Sequence, residues 1–387
     1  MKYDVVIIGG GMTGLISSIY LSSKGLKTAV VSKGDPVCSI SSGCIDVAGD
    51  FQGIPDDHPY TMAGREKVRS ALMYFKEIMK DAGLPYWGEV FENRSIYTPI
   101  AKKRETCLVP FSMKNADGAK GKSLHIISFQ GMKDFFPGYF KEDTSDFNCS
   151  LFDAGTLTTV GIATKFDDPA FREQFILWLK ECRIQEEFIG IPAVLGTKNP
   201  QKLIDQIELV TGCKVFEIPT LPPSMPGLRL FRKLKSYSSL QGVDFFWGHG
   251  ISEITEEENL VTSLIIDQPG RPTIIEGRSF ILTTGSFVSG GLFAEKESIR
   301  ETVFNLPVSI PPGKPRLNDS FFDTEQPLGR AGIRVSSHYQ PVDSPWKNIF
   351  VAGSILENSQ IMKYHCGHGL AIVTGLDAAE NCEEYLK

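Results

Sequence analysis

The hydrophobic pattern opens with an unbroken apolar run. Val5-Val6-Ile7-Ile8 shows no polar alternation, which is the mark of a strand buried on both faces in a parallel sheet. A glycine turn follows, then a helical segment to about Ser23 and a second apolar strand from Thr28 to Val31. Helical spacing returns from Glu66 to Ala82 through Val68, Ala71, Leu72, Phe75 and Met79. Arg94 to Pro99 and Thr106 to Pro110 read as extended chain, with the basic cluster Lys102, Lys103 and Arg104 between them as a solvated tip or a phosphate contact.

From about residue 120 strands and helices alternate. Leu124 to Phe129 is a strand, and Gln130 to Phe136 leads into a helix. Pro169 to Cys182 is a helix opened by Asp168 as N-cap with Pro169 at its first position. Glu187 to Val194 is a strand, Asn199-Pro200 opens a helix through Val210 that Gly212 closes, and Lys214 to Pro219 is another strand. This alternation describes a second parallel α/β unit inserted into the first. Pro222, Pro223 and Pro226 then stiffen the backbone ahead of a helix carrying Arg229, Arg232, Lys233 and Lys235. Arg229 meets an anion there, or the segment is a rigid connector with a basic solvated face. Gly242 to Gly248, Ile251 to Ile254, Leu260 to Ile266 and Thr273 to Glu276 resemble a small antiparallel meander. A strand ending in Thr283-Thr284-Gly285-Ser286 returns to the first sheet. Asn348 to Ser354 is a last strand with a tight turn, and a helix opens at His365-Cys366-Gly367-His368-Gly369 and runs to about Glu384.

The first turn carries the chemistry. In Gly9-Gly10-Gly11-Met12-Thr13-Gly14, Gly9 makes the tight turn, Gly11 admits a phosphate against the backbone, and Gly14 lets the helix lie close to the strand. The N–H groups of Met12 and Thr13 and the positive helix end then face the anion. A strand before, a helix after and a second strand beyond give this motif its proper context. The fold class is therefore α/β, a Rossmann-like FAD/NAD(P)-binding flavoprotein fold with an inserted second α/β domain and a small antiparallel meander. About 20 residues on, such a fold places a carboxylate on the adenosine ribose. That position is Ser32 or Lys33, and Asp35 lies beyond it. A phosphate cradle without a ribose anchor points to a shorter nucleotide, FMN, or to FAD held atypically.

Other small residues converge on the same cofactor. Ser41, Ser42 and Gly43 are read either as donors to ribityl or phosphate oxygens or as a plain turn. Thr284, Gly285, Gly353 and Ser354 permit close approach at strand ends. The helix opening at Gly367, His368 and Gly369 offers its N-terminus to flavin N1/O2. The catalytic candidates are His365, His368 and Arg229: the two histidines read first as cofactor or packing contacts, and Arg229 equally as part of a solvated basic face.

Bulk properties narrow the class. The 387 residues suffice for one large or two ordinary domains, and a net charge of −6 argues against a nucleic-acid role built on a basic field. Val5 to Leu21 mimics a signal-peptide core, but three glycines interrupt it and no small-x-small site follows, so it reads as the buried first βα unit. No stretch approaches the length of a membrane span. The eight cysteines form no CxxC pair and no zinc or ferredoxin spacing, so they read as reduced thiols and no metal is assigned.

Five segments together resemble the B-type subunits of anaerobic glycerol-3-phosphate dehydrogenases, over the whole chain. They are Ile7 to Leu15; Ser41-Ser42-Gly43-Cys44-Ile45-Asp46; Leu221-Pro222-Pro223-Ser224 with Gly227-Leu228-Arg229-Leu230; Gly285-Ser286-Phe287-Val288-Ser289-Gly290-Gly291-Leu292; and Phe350 to Ser354 with Cys366-Gly367-His368-Gly369. The first and last are general to dinucleotide-fold flavoproteins. The segments at Leu221 and Gly285 are, in combination, the more specific. This chain departs from the family at His365, Cys366 and His368, where the family run is richer in glycine.

The resemblance implies a flavoprotein subunit, usually with FMN, paired with an FAD-bearing catalytic subunit and an iron–sulfur subunit at the inner face of the membrane. Such a complex oxidises sn-glycerol 3-phosphate to dihydroxyacetone phosphate and passes electrons toward quinone. It implies a cytoplasmic chain, peripheral at the inner membrane through its partners, with a small phosphorylated substrate. The alternatives are a self-sufficient FAD-dependent oxidoreductase and a flavin-free scaffold subunit. The expected partition is 1–90, 241–290 and 345–387 for flavin binding, 91–240 for an inserted cap, substrate or partner domain, and 291–344 for a cap or interface segment.

Overall fold

The computed structural model describes every residue except 49–52, 144–145, 268–270, 297, 311–316, 321–322 and 324. The described chain forms two compact bodies. One comprises Met1–Val37, Asp46–Ile78 and Leu234–Lys387; the other comprises Cys38–Ile45 and Met79–Lys233.

The main elements, in chain order, begin with β1 (Lys2–Ile8), α1 (Met12–Ser23) and β2 (Thr28–Ser32). Helices α2 (Pro59–Ala63) and α3 (Arg65–Asp81) follow. Next come β3 (Ser123–Phe129), β4 (Asp146–Phe152), α4 (Thr159–Lys165), α5 (Pro169–Cys182), β5 (Phe188–Pro192), α6 (Gln201–Thr211) and β6 (Lys214–Ile218). The chain then runs through α7 (Met225–Leu240), β7 (Asp244–Trp247), β8 (Ile251–Glu257), β9 (Leu260–Ile266), β10 (Thr273–Leu282), β11 (Ile349–Val351) and α8 (Gly367–Leu386).

The first body is built on a seven-stranded sheet in the order β7-β2-β1-β10-β9-β8, with β11 also paired to β10. Strands β7, β2, β1, β10 and β11 run parallel; β8 and β9 are antiparallel. β10 serves both parts. Its first half pairs with β9 and its second half with β1 and β11. Val5, Val6, Ile7 and Ile8 are at most 3% exposed, and each contributes about 1.5–3 kcal/mol of hydrophobic stabilisation. Helices α1 and α8 pack together because Gly375 lets Thr13 close: a Cβ there would stand 2.7 Å from the Thr13 carbonyl oxygen. Ser17 Oγ donates to the Gly375 carbonyl at 2.7 Å across the same contact.

The second body holds an all-parallel four-stranded sheet, β6-β5-β3-β4. Beneath it Phe129, Phe152, Phe166, Phe175 and Trp178 form an aromatic cluster with edge and stacked contacts. Helix α5 starts as its sequence dictates, with Asp168 Oδ1 accepting the Ala170 N–H at 3.0 Å and Pro169 at the first position. Gly212 closes α6 in the left-handed conformation, φ +74°. The extended segments near residue 100 form an antiparallel hairpin, Arg94–Tyr97 against Lys103–Thr106, with Lys102 and Arg104 exposed and Lys103 half-buried over the Tyr97 ring.

Two expectations fail. Gln130 to Phe136 is not helical and leads only into a short 3-10 helix, Pro137–Asp143: Gly131 has φ +73°, outside helical space, and Pro137 disfavours the helical conformation in Phe136. Asp244 to Trp247 does not belong to the antiparallel meander. It pairs parallel to β2 at the sheet edge, a pairing across more than two hundred residues of sequence that the local pattern does not report.

Candidate functional site

The carboxyl edge of the large parallel sheet is the candidate site. The pairing aligns Phe246, Val31, Ile8, Leu282 and Val351 in one row across five strands. The next residue on each strand is Trp247, Ser32, Gly9, Thr283 and Ala352, and these make the rim. In open parallel sheets this edge is where ligands bind.

The β1–α1 turn is shaped by its neighbours. Gly9 has φ +115°, and a Cβ on it would collide with the Thr283 backbone, 2.6 Å from the carbonyl carbon. Thr283 Oγ1 donates to the carbonyls of Ile8 and Gly9 at 3.0 and 2.9 Å, fastening the turn to β10. A Cβ on Gly14 would overlap the Gly9 carbonyl and lie 2.8 Å from Thr283 Oγ1, so that glycine is required by packing. Gly11 differs. A Cβ there would meet nothing nearer than Pro36 at 3.8 Å. It is also the N-cap of α1, with no side chain capping the helix. The first intrahelical bond runs from Leu15 N–H to the Gly11 carbonyl at 2.9 Å, which leaves the N–H groups of Met12, Thr13 and Gly14 without intrahelical acceptors. An open approach to Gly11 and an uncapped helix end suit an anion.

The other strand ends close around this turn. A Cβ on Gly353 (φ +91°) would be 2.6 Å from Thr13 Oγ1, so β11 ends on the first turn of α1, and Thr374 Oγ1 accepts the Gly353 N–H at 2.9 Å. A Cβ on Gly285 would be 3.4 Å from Ser354 Oγ, which places Gly285 and Ser354 side by side. Thr284 Oγ1 is buried and has no hydrogen-bond partner among the described residues. Helix α8 passes Thr13 at Gly375, eight residues after its start. At 1.5 Å per residue its N-terminus therefore stands about 12 Å beyond the turn. Open space at Gly11, an uncapped helix start, the unpartnered Thr284 hydroxyl and an overhanging helix end have the chemistry and the spacing that a phosphorylated flavin would need.

Several expected site residues do other work. Gly369 gives its N–H to the Asp46 carbonyl at 3.2 Å, and a Cβ on it would be 2.6 Å from that oxygen; packing against Asp46 and Tyr60 explains this glycine, not a ligand. His365 is exposed with φ +45°, and His368 is half-buried. Ser32 Oγ turns back to the Gly34 carbonyl at 3.0 Å, and Lys33 is exposed. Ser41, Ser42 and Gly43 belong to the second body, where Ser41 Oγ donates to the Cys38 carbonyl at 2.8 Å and Tyr86 Oη donates to the Gly43 carbonyl at 2.6 Å. Arg229 also lies there and meets no external anion. It is 2% exposed and donates to both Glu217 oxygens, at 2.6 and 3.0 Å, and twice to the Gly196 carbonyl, at 2.9 and 2.6 Å.

Sequence reading missed His58, the state of Cys366 and the place of Trp247. His58 is fully buried. Its Nδ1 accepts the Tyr60 N–H at 3.1 Å, so the proton is on Nε2, which donates to the Ser359 carbonyl at 3.1 Å. Burial lowers its pKa to about 4, against the opposing pull of the Ser359 carbonyl and Asp57. Cys366, 4.0 Å from His58 Nε2, has its thiol pushed up to about 12 by burial first and by Asp46 second. His58 stands in no motif, and its contact with Cys366 spans some three hundred residues of chain. Trp247 is reached only once the pairing of β7 is known.

Comparisons with known proteins give the family. The family model described as FAD binding domain matches residues 4–125 and 163–370. The chain belongs to that family. The stretch between the two matched parts of this FAD-binding-domain chain includes β4. The chain is 27% identical over 428 residues to the B subunit of anaerobic glycerol-3-phosphate dehydrogenase of Actinobacillus pleuropneumoniae serotype 5b (strain L20), covering 98% of this chain and 99% of that one. It is 28% identical over 430 residues to the protein of the same name from Histophilus somni (strain 2336), covering 99% and 98%. Among solved structures, a 3-ketosteroid-delta4-(5alpha)-dehydrogenase from Rhodococcus jostii RHA1 aligns with TM-score 0.32 and 16% identity, over 74% of this chain and 46% of that one. No helix among the described residues is long and apolar enough to cross a membrane.

Proposed function

We propose that this chain is the flavin-bearing subunit of a glycerol-3-phosphate dehydrogenase-like complex. The observation that carries the reading is its similarity, end to end in both chains, to proteins named as the B subunit of that enzyme, joined to an open phosphate turn at the sheet edge. The flavin is FMN, with FAD as the alternative. Gly11 and the N–H groups of Met12, Thr13 and Gly14 hold the phosphate. Gly9 and Gly353 shape the floor, and Thr284, Gly285 and Ser354 line the ribityl side. The first turn of α8, with Gly367 and His368, would face the ring of a flavin so held, where a positive helix terminus would stabilise negative charge. When bound, the flavin supplies an acceptor for two electrons that can pass them on one at a time.

Two buried groups ahead of α8 are not free to abstract a proton. His58 is neutral and donates to a backbone carbonyl, and the buried Cys366 thiol is held protonated, so each fixes the loop ahead of α8. The complex would oxidise sn-glycerol 3-phosphate to dihydroxyacetone phosphate, and a flavin held at this turn would supply its relay toward a partner iron–sulfur subunit and quinone. The second body serves a partner or substrate.

The test is to purify the chain, denature it, and identify the released chromophore by chromatography and mass. Free FMN supports the reading. FAD, together with full reduction by substrate without partners, replaces it with a self-sufficient oxidoreductase. Protein made with flavin available that releases none leaves only a scaffold.

A further inference from the structure

We infer that Trp247 is a selectivity plug that closes the adenosine end of the nucleotide site and makes the chain select a mononucleotide over a dinucleotide flavin. The inference rests on the flavin reading above. Trp247 is the rim residue beside Ser32, its partner in the parallel pairing of β7 with β2. Its indole reaches back over the glycine turn: a Cβ on Gly10 would collide with the benzo ring, 2.5 Å from Cη2, and would stand 3.0 Å from Ser32 Cβ. Gly10, the ring and Ser32 therefore share one spot, the gap between the phosphate turn and the tip of β2. In a dinucleotide fold that gap receives the adenosine ribose, whose hydroxyls meet an acidic residue on the second strand.

The adjacent glycines divide the work. Gly10 is filled by the indole, while the approach to Gly11 stays clear to 3.8 Å. Room for a phosphate is kept and room for a ribose beyond it is taken. The ring is clamped on two sides. Trp247 Nε1 donates to Asp35 Oδ1 at 3.3 Å, and Lys235 Nζ stands 3.7 Å from the ring centroid, a cation–π distance. Asp35 thus anchors the residue that occupies the ribose place, and does not stand in for the missing ribose carboxylate.

The experiment is direct titration of the full-length apoprotein with FMN and with FAD, followed by quenching of flavin fluorescence. The wild type is expected to bind FMN at least about tenfold more tightly than FAD. In W247L, which keeps an apolar side chain on β7 but removes the ring, FAD should tighten by about tenfold with FMN little changed. A D35A/K235A double variant, which touches only the exposed and half-buried clamps, should move the ratio in the same direction and covers the case of a W247L that does not fold. An unchanged FMN-to-FAD ratio in variants that bind flavin, or a wild type that prefers FAD, overturns the plug and leaves the flavin site standing. A wild type that binds neither flavin overturns both.

Discussion

Replacing Arg229 should cost stability and leave flavin affinity untouched. The guanidinium makes four hydrogen bonds, to Glu217 and the Gly196 carbonyl, at 2.6–3.0 Å, with Arg229 2% and Glu217 1% exposed. In R229M the carboxylate would keep only the Leu195 N–H, at 3.1 Å. Stranding one partner of a buried ion pair costs about 3–5 kcal/mol. For a body of roughly 160 residues, at about 2–4 °C per kcal/mol, the melting temperature should fall by about 10 °C. Replacing both members, R229M/E217L, should recover much of this, because an apolar pair of similar volume avoids the charge. About 1–2 kcal/mol should remain lost, since the Leu195 N–H and Gly196 carbonyl lose partners. Thermal unfolding by circular dichroism of the wild type, both single variants and the double variant measures the cycle, and FMN titration runs beside it. If R229M melts within about 2 °C of wild type the ion-pair argument fails, and if it also loses FMN affinity Arg229 is an anion contact after all.

The two glycines of the turn should separate packing from binding. G14A is expected to destabilise the fold by several °C, while G11A melts like wild type but binds FMN at least about tenfold more weakly in fluorescence titration. His58 should make stability depend on pH. Its folded pKa, about 4, lies below the unfolded 6.5, so its contribution is complete above pH 6.5 and is lost as pH falls toward 4; that amounts to about 3 kcal/mol. Urea unfolding of wild type and H58N at a series of pH values should show this slope only in the former. Iodoacetamide followed by peptide mass mapping should label exposed Cys149 in the native protein long before Cys366, whose thiol is buried and pushed up to about 12.

Much of the first body was legible because its signals are local. An apolar run into Gly9-x-Gly11-x-x-Gly14 specifies a strand, a tight turn and a helix start through backbone sterics alone, and Asp168-Pro169 and Gly212 set helix ends by capping chemistry. The missing carboxylate at Ser32 was readable for the same reason: its place is counted from the turn. Where the local signal was ambiguous the reading failed. Gln130 to Phe136 has apolar residues at helical spacing, but Gly131 adopts a positive φ that no pattern of hydrophobicity reports.

What the chain's sequence determined by itself was therefore the kind of element at most places and the tight glycine turn between β1 and α1. Tertiary structure alone decided which side chains meet. Arg229 could face solvent, a ligand or a carboxylate, and only the fold brings Glu217 and Gly196 to it. Trp247 is an apolar residue at the end of a short strand until the parallel pairing of β7 with β2 lays its ring on Gly10, more than two hundred residues earlier in the chain. Periodicity and capping act over a few residues and can be counted along the chain. Strand order and register are set by burial summed over the whole core, so a contact across them has no local trace.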